Sequence, residues 1–491
     1  MHQFYRSPRR RIGHIRPPAS QVRICPTAWL RVGYNQSVTL AAVKTTGIYC
    51  HPGCSASPNA VNVREYETAA AAEADGFRAC LRCRPYRTHH ADPWVEGPEL
   101  VCRGVRLILD GALDERLEAD LARRLGVSPR HLRRLFVEHV GATPDQLARS
   151  RRAHFARRLL DDTDLSIADV AFAAGFGSVR QMARVMHDTF HSSPTTLRGK
   201  RRHSDRLVAD GGLDTRLTFQ PPLAWDDLLA FLGRRAIPGV ESVADGVYRR
   251  TIEVDGLTGA LEVRHDDDHL IARFHLPKWD GLIHHVARVR HLFDLDHDPN
   301  RVAADLGTEA ALAPWPGSLR VPGCWDPFEA GVRAIVGQQV SVAGATTTLG
   351  KIVTAHGPSA PGLEALGLTS RFPDPAALTD VDLPIPRRRA TAVRAFAGAV
   401  AEGRVALDGS LPLEALEEQL CALPGVGPWT AQYLALRLGY ADAFPASDLA
   451  VIKALDGASP RETAVRSEAW RPWRAYATVR LWSQHATPAQ R

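Results

Sequence analysis

Four cysteines in two close pairs constrain this chain more than any other feature. Cys50 and Cys54 are separated by three residues; 25 residues further on come Cys80 and Cys83, separated by two. Pairs at this spacing can close on one tetrahedral ion, so the segment between them must fold back on itself. An all-thiolate set points to zinc. One reading is a purely structural ion. The other is chemistry, because four thiolates on one Zn²⁺ leave a net charge of about −2, and a thiolate there stays nucleophilic at neutral pH. The other cysteines, at 25, 102, 324 and 421, are scattered singly. That usage fits a reducing compartment rather than a disulfide framework.

A chain of 491 residues is too long for one hydrophobic core, and roughly three to five domains are expected. No run of eighteen apolar residues occurs, so no membrane span is expected. The Arg-rich start lacks the apolar core and cleavage site of a secretory signal. A cytoplasmic location is therefore expected. Charge is unevenly shared: residues 1–206 hold 33 Lys and Arg against 20 Asp and Glu, and the remainder 28 against 34. A basic front half suggests phosphate contacts and salt-sensitive nucleic-acid binding. The acidic back half must bind DNA locally, through backbone amides and shape.

Residues 1–38 show little periodicity and are expected to be poorly structured. A helical stretch covers about 100–198 and contains an internal repeat. Leu117–Leu125, Gly126-Val-Ser128 and Pro129–His139 read as helix, turn, helix, with Ser128 as cap and Pro129 in the first turn. Ser166–Ala174, Gly175-Phe-Gly-Ser178 and Val179–Thr189 repeat the plan. Arg130, Arg133 and Arg134 on one second helix, and Arg180, Gln181 and Arg184 on the other, are side chains that read base edges and phosphates. A solvated charged face is the alternative. Farther on, Tyr248–Val254, Ala260–Arg264 and Leu270–His275 alternate as a small antiparallel sheet. Helical spacing returns in Phe328–Leu349, Arg388–Glu402 and Trp429–Leu438.

In that last region Leu423-Pro-Gly-Val-Gly-Pro-Trp429 reads as a tight turn between helices, and Asp448 follows nineteen residues later. The amides near Gly425 and Gly427 can sit on a DNA phosphate. Asp448 precedes a helical run and reads either as its N-cap or as a catalytic carboxylate.

Val43-Lys-Thr-Thr-Gly-Ile-Tyr-Cys50-His-Pro-Gly-Cys54 and Ala74-Asp-Gly-Phe-Arg-Ala-Cys80-Leu-Arg-Cys-Arg-Pro85 resemble the N-terminal domain of the Ada family. The resemblance implies zinc held by Cys50, Cys54, Cys80 and Cys83, with Cys50 accepting a methyl group irreversibly from a DNA methylphosphotriester. Methylation neutralises one thiolate and weakens repulsion from DNA phosphates. Leu121-Ala-Arg-Arg-Leu-Gly-Val-Ser-Pro-Arg-His-Leu132 and Ala171-Phe-Ala-Ala-Gly-Phe-Gly-Ser178 are similar to AraC-type regulators. That similarity implies two recognition helices in successive major grooves and, for an activator, RNA polymerase as a partner.

Val321-Pro-Gly323, Ala334-Ile-Val-Gly-Gln-Gln-Val-Ser341, Leu423–Tyr433 and Trp470-Arg-Pro-Trp-Arg-Ala-Tyr476 resemble the AlkA type of 3-methyladenine DNA glycosylase, in the helix-hairpin-helix superfamily. The resemblance implies Asp448 as the catalytic acid and Trp429, Tyr433, Trp482 and Phe231 as an aromatic pocket for alkylated purines. It places Gln339 as the wedge that fills the gap left by a flipped nucleotide. It also puts a monovalent cation on the carbonyls of Cys421, Leu423 and Val426. Trp429 stands where bifunctional relatives carry a Schiff-base lysine, which implies base release without strand cleavage. No Pro-Cys-His-Arg motif occurs, so the O6-alkylguanine transfer domain of Ada is not expected.

The expected fold is multidomain and mainly α with α+β parts. An extension at 1–38 precedes a small zinc domain at 39–90 and a tandem helix-turn-helix domain at 100–200. An antiparallel-sheet α+β domain at 212–308 and a helical helix-hairpin-helix glycosylase domain at 309–491 complete it. The expected function is alkylation repair and response on double-stranded DNA in a bacterial, nucleoid-associated protein. The alternative is a methylation-responsive regulator whose glycosylase half only binds DNA.

Overall fold

Residues 40–56, 58–87, 98–207 and 211–485 are described by a computed structural model of the chain. The expected extension at 1–38 lies outside them. No described helix is long and apolar enough to cross a membrane.

Around the cysteines, four short strands form a sheet ordered β3-β1-β2-β4: β1 Leu40–Val43, β2 Ile48–Cys50, β3 Val63–Tyr66 and β4 Arg78–Ala79. Parallel pairing of β2 with β4 brings the strand that ends at Cys50 beside the one that leads into Cys80. Seven helices follow: Glu99–Leu109, Glu118–Arg124, Pro129–Val140, Pro144–Asp162, Ile167–Ala173, Val179–Phe190 and Pro194–Gly199. The repeat has the geometry its residues call for. Ser128 accepts the amide of His131 at 3.2 Å and Ser178 that of Gln181 at 3.1 Å, while Gly126 and Gly175 take φ of +71° and +76°.

The second sheet has five strands in the order β5-β9-β8-β7-β6: β5 Leu213–Thr218, β6 Glu241–Ala244, β7 Val247–Val254, β8 Leu257–Asp266 and β9 His269–His275. All its pairings are antiparallel. The flanking strands β5 and β6 add to the three that alternation revealed. The remainder is helical. Phe328–Leu349 does not form one helix as its spacing suggests. It breaks into Pro327–Val336 and Val342–His356, because Gln339 adopts φ +55° and Ser341 caps the second helix through the Gly344 amide at 3.1 Å.

The hydrophobic cores cross module boundaries. One runs from Tyr49 and Tyr66 of the cysteine domain through Phe176 and Phe190 to Leu217 and Phe274 of the second sheet. Helix Glu99–Leu109 is also docked on the helical half. Arg103 donates to the Ser410 carbonyl at 2.6 Å, and Arg106 reaches the Gly439 carbonyl at 3.3 Å and lies over Tyr440.

Candidate active site and metal centre

The hairpin joins helices Leu413–Cys421 and Pro428–Arg437. Gly425 takes φ +79°, and a Cβ there would stand 2.8 Å from the Cβ of Ala392, so the turn is closed tightly against helix Arg387–Ala401. A Cβ on Gly427 would meet nothing within 4 Å, which leaves its backbone open to a ligand. From this hairpin the chain returns through Ser447 to helix Leu449–Ala454, with Asp448 at its N-cap.

Asp448 is the N-cap of this helix, and its carboxylate also meets two indoles. Its Oδ1 accepts the amides of Ala450 and Val451 at 3.0 and 3.1 Å, as a cap does. The same oxygen accepts the indole N–H of Trp482 at 3.1 Å, and Oδ2 accepts that of Trp429 at 2.9 Å. The capping bonds therefore set the carboxylate at the wall of a cleft of about 1820 Å³. Trp429, Tyr433, Trp482, Phe231 and Gln339 line this cleft with it. Trp429 and Tyr433 stack with ring centres 5.4 Å apart, and Trp482 lies 5.9 Å from Tyr433.

Two arginines in the cleft escaped the sequence reading. Arg235 covers the Phe231 ring at 3.8 Å and Arg437 lies 5.3 Å from it. Arg235 thus covers one face of Phe231. Burial raises the Tyr433 phenol, but Arg437 and Arg235 outweigh it and hold the group below its ordinary value. The signal lay in the spacing: Arg235 follows Phe231 by four residues, and Arg437 follows Tyr433, whose hydroxyl it reaches at 3.5 Å, by four. A third missed residue is Gln338, whose amide donates to the Gly425 carbonyl at 3.0 Å and to Thr430 at 2.9 Å. It ties the exposed Gln339 turn to the hairpin. Also lining the cleft, Glu329 pairs with Arg250 at 2.8 Å and with Arg333 at 2.6 Å.

The four cysteine sulfurs lie within 4.8 Å of one another, with Cys50 and Cys80 buried and Cys54 and Cys83 half-buried. A hydrogen bond from Cys50 holds the Cys83 thiol down to about 5, and the same bond drives Cys50 up. An all-sulfur donor set of this size fits tetrahedral zinc. Buried ion pairs seat the domain on its neighbour: Arg84 with Asp205, Arg87 with Asp162.

Arg130, Arg133, Arg134, Arg180 and Arg184 are exposed on the second helices of the two repeats. Arg133 bonds Glu118 at 3.0 Å, Arg134 contacts His131 at 3.2 Å, and Gln181 accepts the Gly177 amide at 3.0 Å. The structure therefore separates these residues from the cleft and from the cysteines.

Three family profiles match the chain: "Metal binding domain of Ada" over residues 35–86, "Helix-turn-helix domain" over 121–200 and "AlkA N-terminal domain" over 214–326. The chain is 39% identical over 460 residues to the "Probable bifunctional transcriptional activator/DNA repair enzyme AlkA" of Mycobacterium tuberculosis, covering 90% of this chain and 92% of that protein. It is 36% identical over 279 residues to "DNA-3-methyladenine glycosylase 2" of Escherichia coli, which spans 54% of this chain and 95% of that enzyme. The "Bifunctional transcriptional activator/DNA repair enzyme Ada" of Escherichia coli matches over 137 residues at 36% identity, 28% of this chain and 37% of Ada. Near full-length similarity of this kind, on a chain with a four-cysteine centre, paired helix-turn-helix units and an acid-bearing cleft, places the chain in the family of AlkA-type bifunctional transcriptional activator and DNA repair proteins.

Proposed function

We propose that the cleft hydrolyses the N-glycosidic bond of alkylated purines such as 3-methyladenine in duplex DNA, without cutting the strand. The observation that carries this reading is the Asp448 carboxylate, held by two capping amides and two indoles beside stacked aromatic rings. Oδ1 has three donors and Oδ2 only Trp429, so Oδ2 keeps a lone pair for the sugar. As the C1′–N bond breaks, its electron pair leaves with the purine and positive charge builds on the sugar. Asp448 stabilises that charge, and water then adds at C1′. Trp429, Tyr433 and Trp482 stack on the extruded base, and Gln339 fills the space it vacates. Position 429 carries no amine, so no Schiff base forms and the strand stays intact. Gly425 and Gly427 present amides to phosphate, and the carbonyls of Cys421, Leu423 and Val426 would hold a monovalent cation there.

The cysteine centre supplies a second, stoichiometric reaction. Cys50, Cys54, Cys80 and Cys83 would hold zinc, which when bound would keep them as thiolates. The Cys50 sulfur attacks the methyl carbon of a phosphotriester; an S–C bond forms, the C–O bond breaks, and the electron pair returns to the phosphate oxygen. One negative charge is lost from the centre, and the Arg130, Arg134, Arg180 and Arg184 surface then binds operator DNA more tightly and recruits RNA polymerase.

The test is to incubate the purified chain with methylated duplex DNA and to separate the released bases by chromatography. Wild type is expected to release methylated purines without strand breaks before alkali, and Asp448→Asn to lose this by roughly 100- to 1000-fold. Equal release by both would remove Asp448 from the chemistry. No release by either would leave a regulator whose cleft only binds DNA.

A further inference from the structure

Arg387, Arg388 and Arg389 open helix Arg387–Ala401 directly after Pro386. Arg387 and Arg388 are exposed and Arg389 is half-buried, and none of the three side chains has a partner among the described residues. The surrounding lobe treats its arginines differently. Among the described residues from 309 onward, every other arginine except Arg461 has a hydrogen-bond or ion-pair partner. Three adjacent free cations thus stand out in a half of the chain with more acids than bases.

Their position is also wrong for the helix. The first turn of a helix favours negative charge, and the helix dipole makes a cation there unfavourable. No acidic residue stands in this first turn to offset them. A sequence that keeps three such charges in a locally unfavourable place, unpaired, is consistent with an anion supplied from outside.

The neighbouring contact says which anion. Ala392 of this helix is the residue that Gly425 of the hairpin abuts, at 2.8 Å from the position of a Gly425 Cβ. Arg388 and Arg389 precede Ala392 by four and three residues, so they lie one turn along the same side of the helix. The arginines therefore flank the hairpin whose amides face phosphate in the reading above.

We infer that Arg387–Arg389 form a second phosphate-binding patch that extends the hairpin's grip along the DNA backbone. It supplies the long-range attraction that the acidic half otherwise lacks. This inference rests on the glycosylase reading for its geometry, but its test does not depend on catalysis.

The experiment uses the full chain with Arg130, Arg134, Arg180 and Arg184 changed to Gln, so that the helix-turn-helix arginines contribute little. Into this parent go R387Q/R388Q/R389Q and, separately, R387K/R388K/R389K. Binding of an undamaged duplex is measured against salt concentration, together with the thermal midpoint and the half-saturating concentration for base release. The Gln variant is expected to have a salt slope shallower by about 0.9 for each lost contact, with affinity several-fold to about tenfold weaker. Its thermal midpoint stays level or rises, since unfavourable charges leave the helix start. The Lys variant restores the slope. A folded Gln variant with the parent's slope and affinity overturns the proposal. Should no variant release base, the glycosylase reading falls, and the salt slope still decides whether the arginines touch DNA.

Discussion

The four cysteines that could hold a metal come from residues 50–83, whereas the cleft gathers residues from Ala224 to Ser483. Two short strands and two tight turns are enough to converge four sulfurs. The cleft instead needs a helix of the sheet domain, the Gln339 break, the hairpin and the last described helix to be in register before Asp448 meets both indoles. The difference teaches where each site is vulnerable. A bound metal would add organising energy to the small domain beyond the core it shares with its neighbours, while the cleft draws its order from a large surrounding core.

The strongest way to break that contrast is to remove the metal. Chelation, or Cys80→Ser, is expected to abolish zinc binding and hydrogen-exchange protection across residues 40–87. The energy at stake is on the order of 10 kcal/mol, as for small structural zinc sites. Base release should survive. Its loss in step with protection would show that the two regions are one cooperative unit, as the shared core from Tyr49 to Phe274 would permit.

A smaller effect probes the cleft's support. Glu329 is buried between Arg250 and Arg333, and Glu329→Gln should lower stability by about 3–5 kcal/mol, read from denaturant melts. Burial alone would raise this carboxyl, but Arg250 and Arg333 hold it down to about 2, against an ordinary value of 4.5. Its folded pKa is depressed, so its contribution is complete above about pH 4.5 and is lost as pH falls through about 2. The variant should therefore lose the part of the acid dependence that wild type shows in this window. An unchanged acid profile would mean the ion cluster does not brace the site.

Smaller again is the share of one indole. Trp482→Phe keeps an aromatic wall but removes one donor to Asp448, and hydrogen bonds to charged groups are worth about 1.5–3 kcal/mol. Base release at saturating DNA should fall about 10- to 100-fold in single-turnover kinetics. A fall confined to half-saturation would assign Trp482 to base stacking alone.

Much of this was legible in the residues themselves. The cysteine spacing, the Ser128 and Ser178 caps and the alternation of the three central strands are local signals, and each appears in the fold. Asp448 posed a choice between cap and acid that one dimension could not resolve, because capping bonds and indole bonds use the same carboxylate. The break at Gln339 was hidden by apolar spacing that continues across it; only the Ser341 cap marks it. Arg235 and Arg437 were missed because their partners' rings are recognised by type, while occupation of a ring face is a property of the folded cleft. The core shared between modules has no sequence signature, since each contributing face looks like an ordinary amphipathic surface.

One reaction mixture tests the central claim, that a single-use methyl acceptor and a turning-over glycosylase share this chain. Methylated duplex DNA is incubated in excess with wild type, Cys50→Ser and Asp448→Asn, and S-methylcysteine at residue 50 and free methylated purines are counted per chain. Wild type should plateau at about one methyl per chain while released bases keep rising beyond one. Cys50→Ser should lose only the first product and Asp448→Asn only the second. Loss of both products in either variant, or base release that stops with the methyl count, would contradict the account.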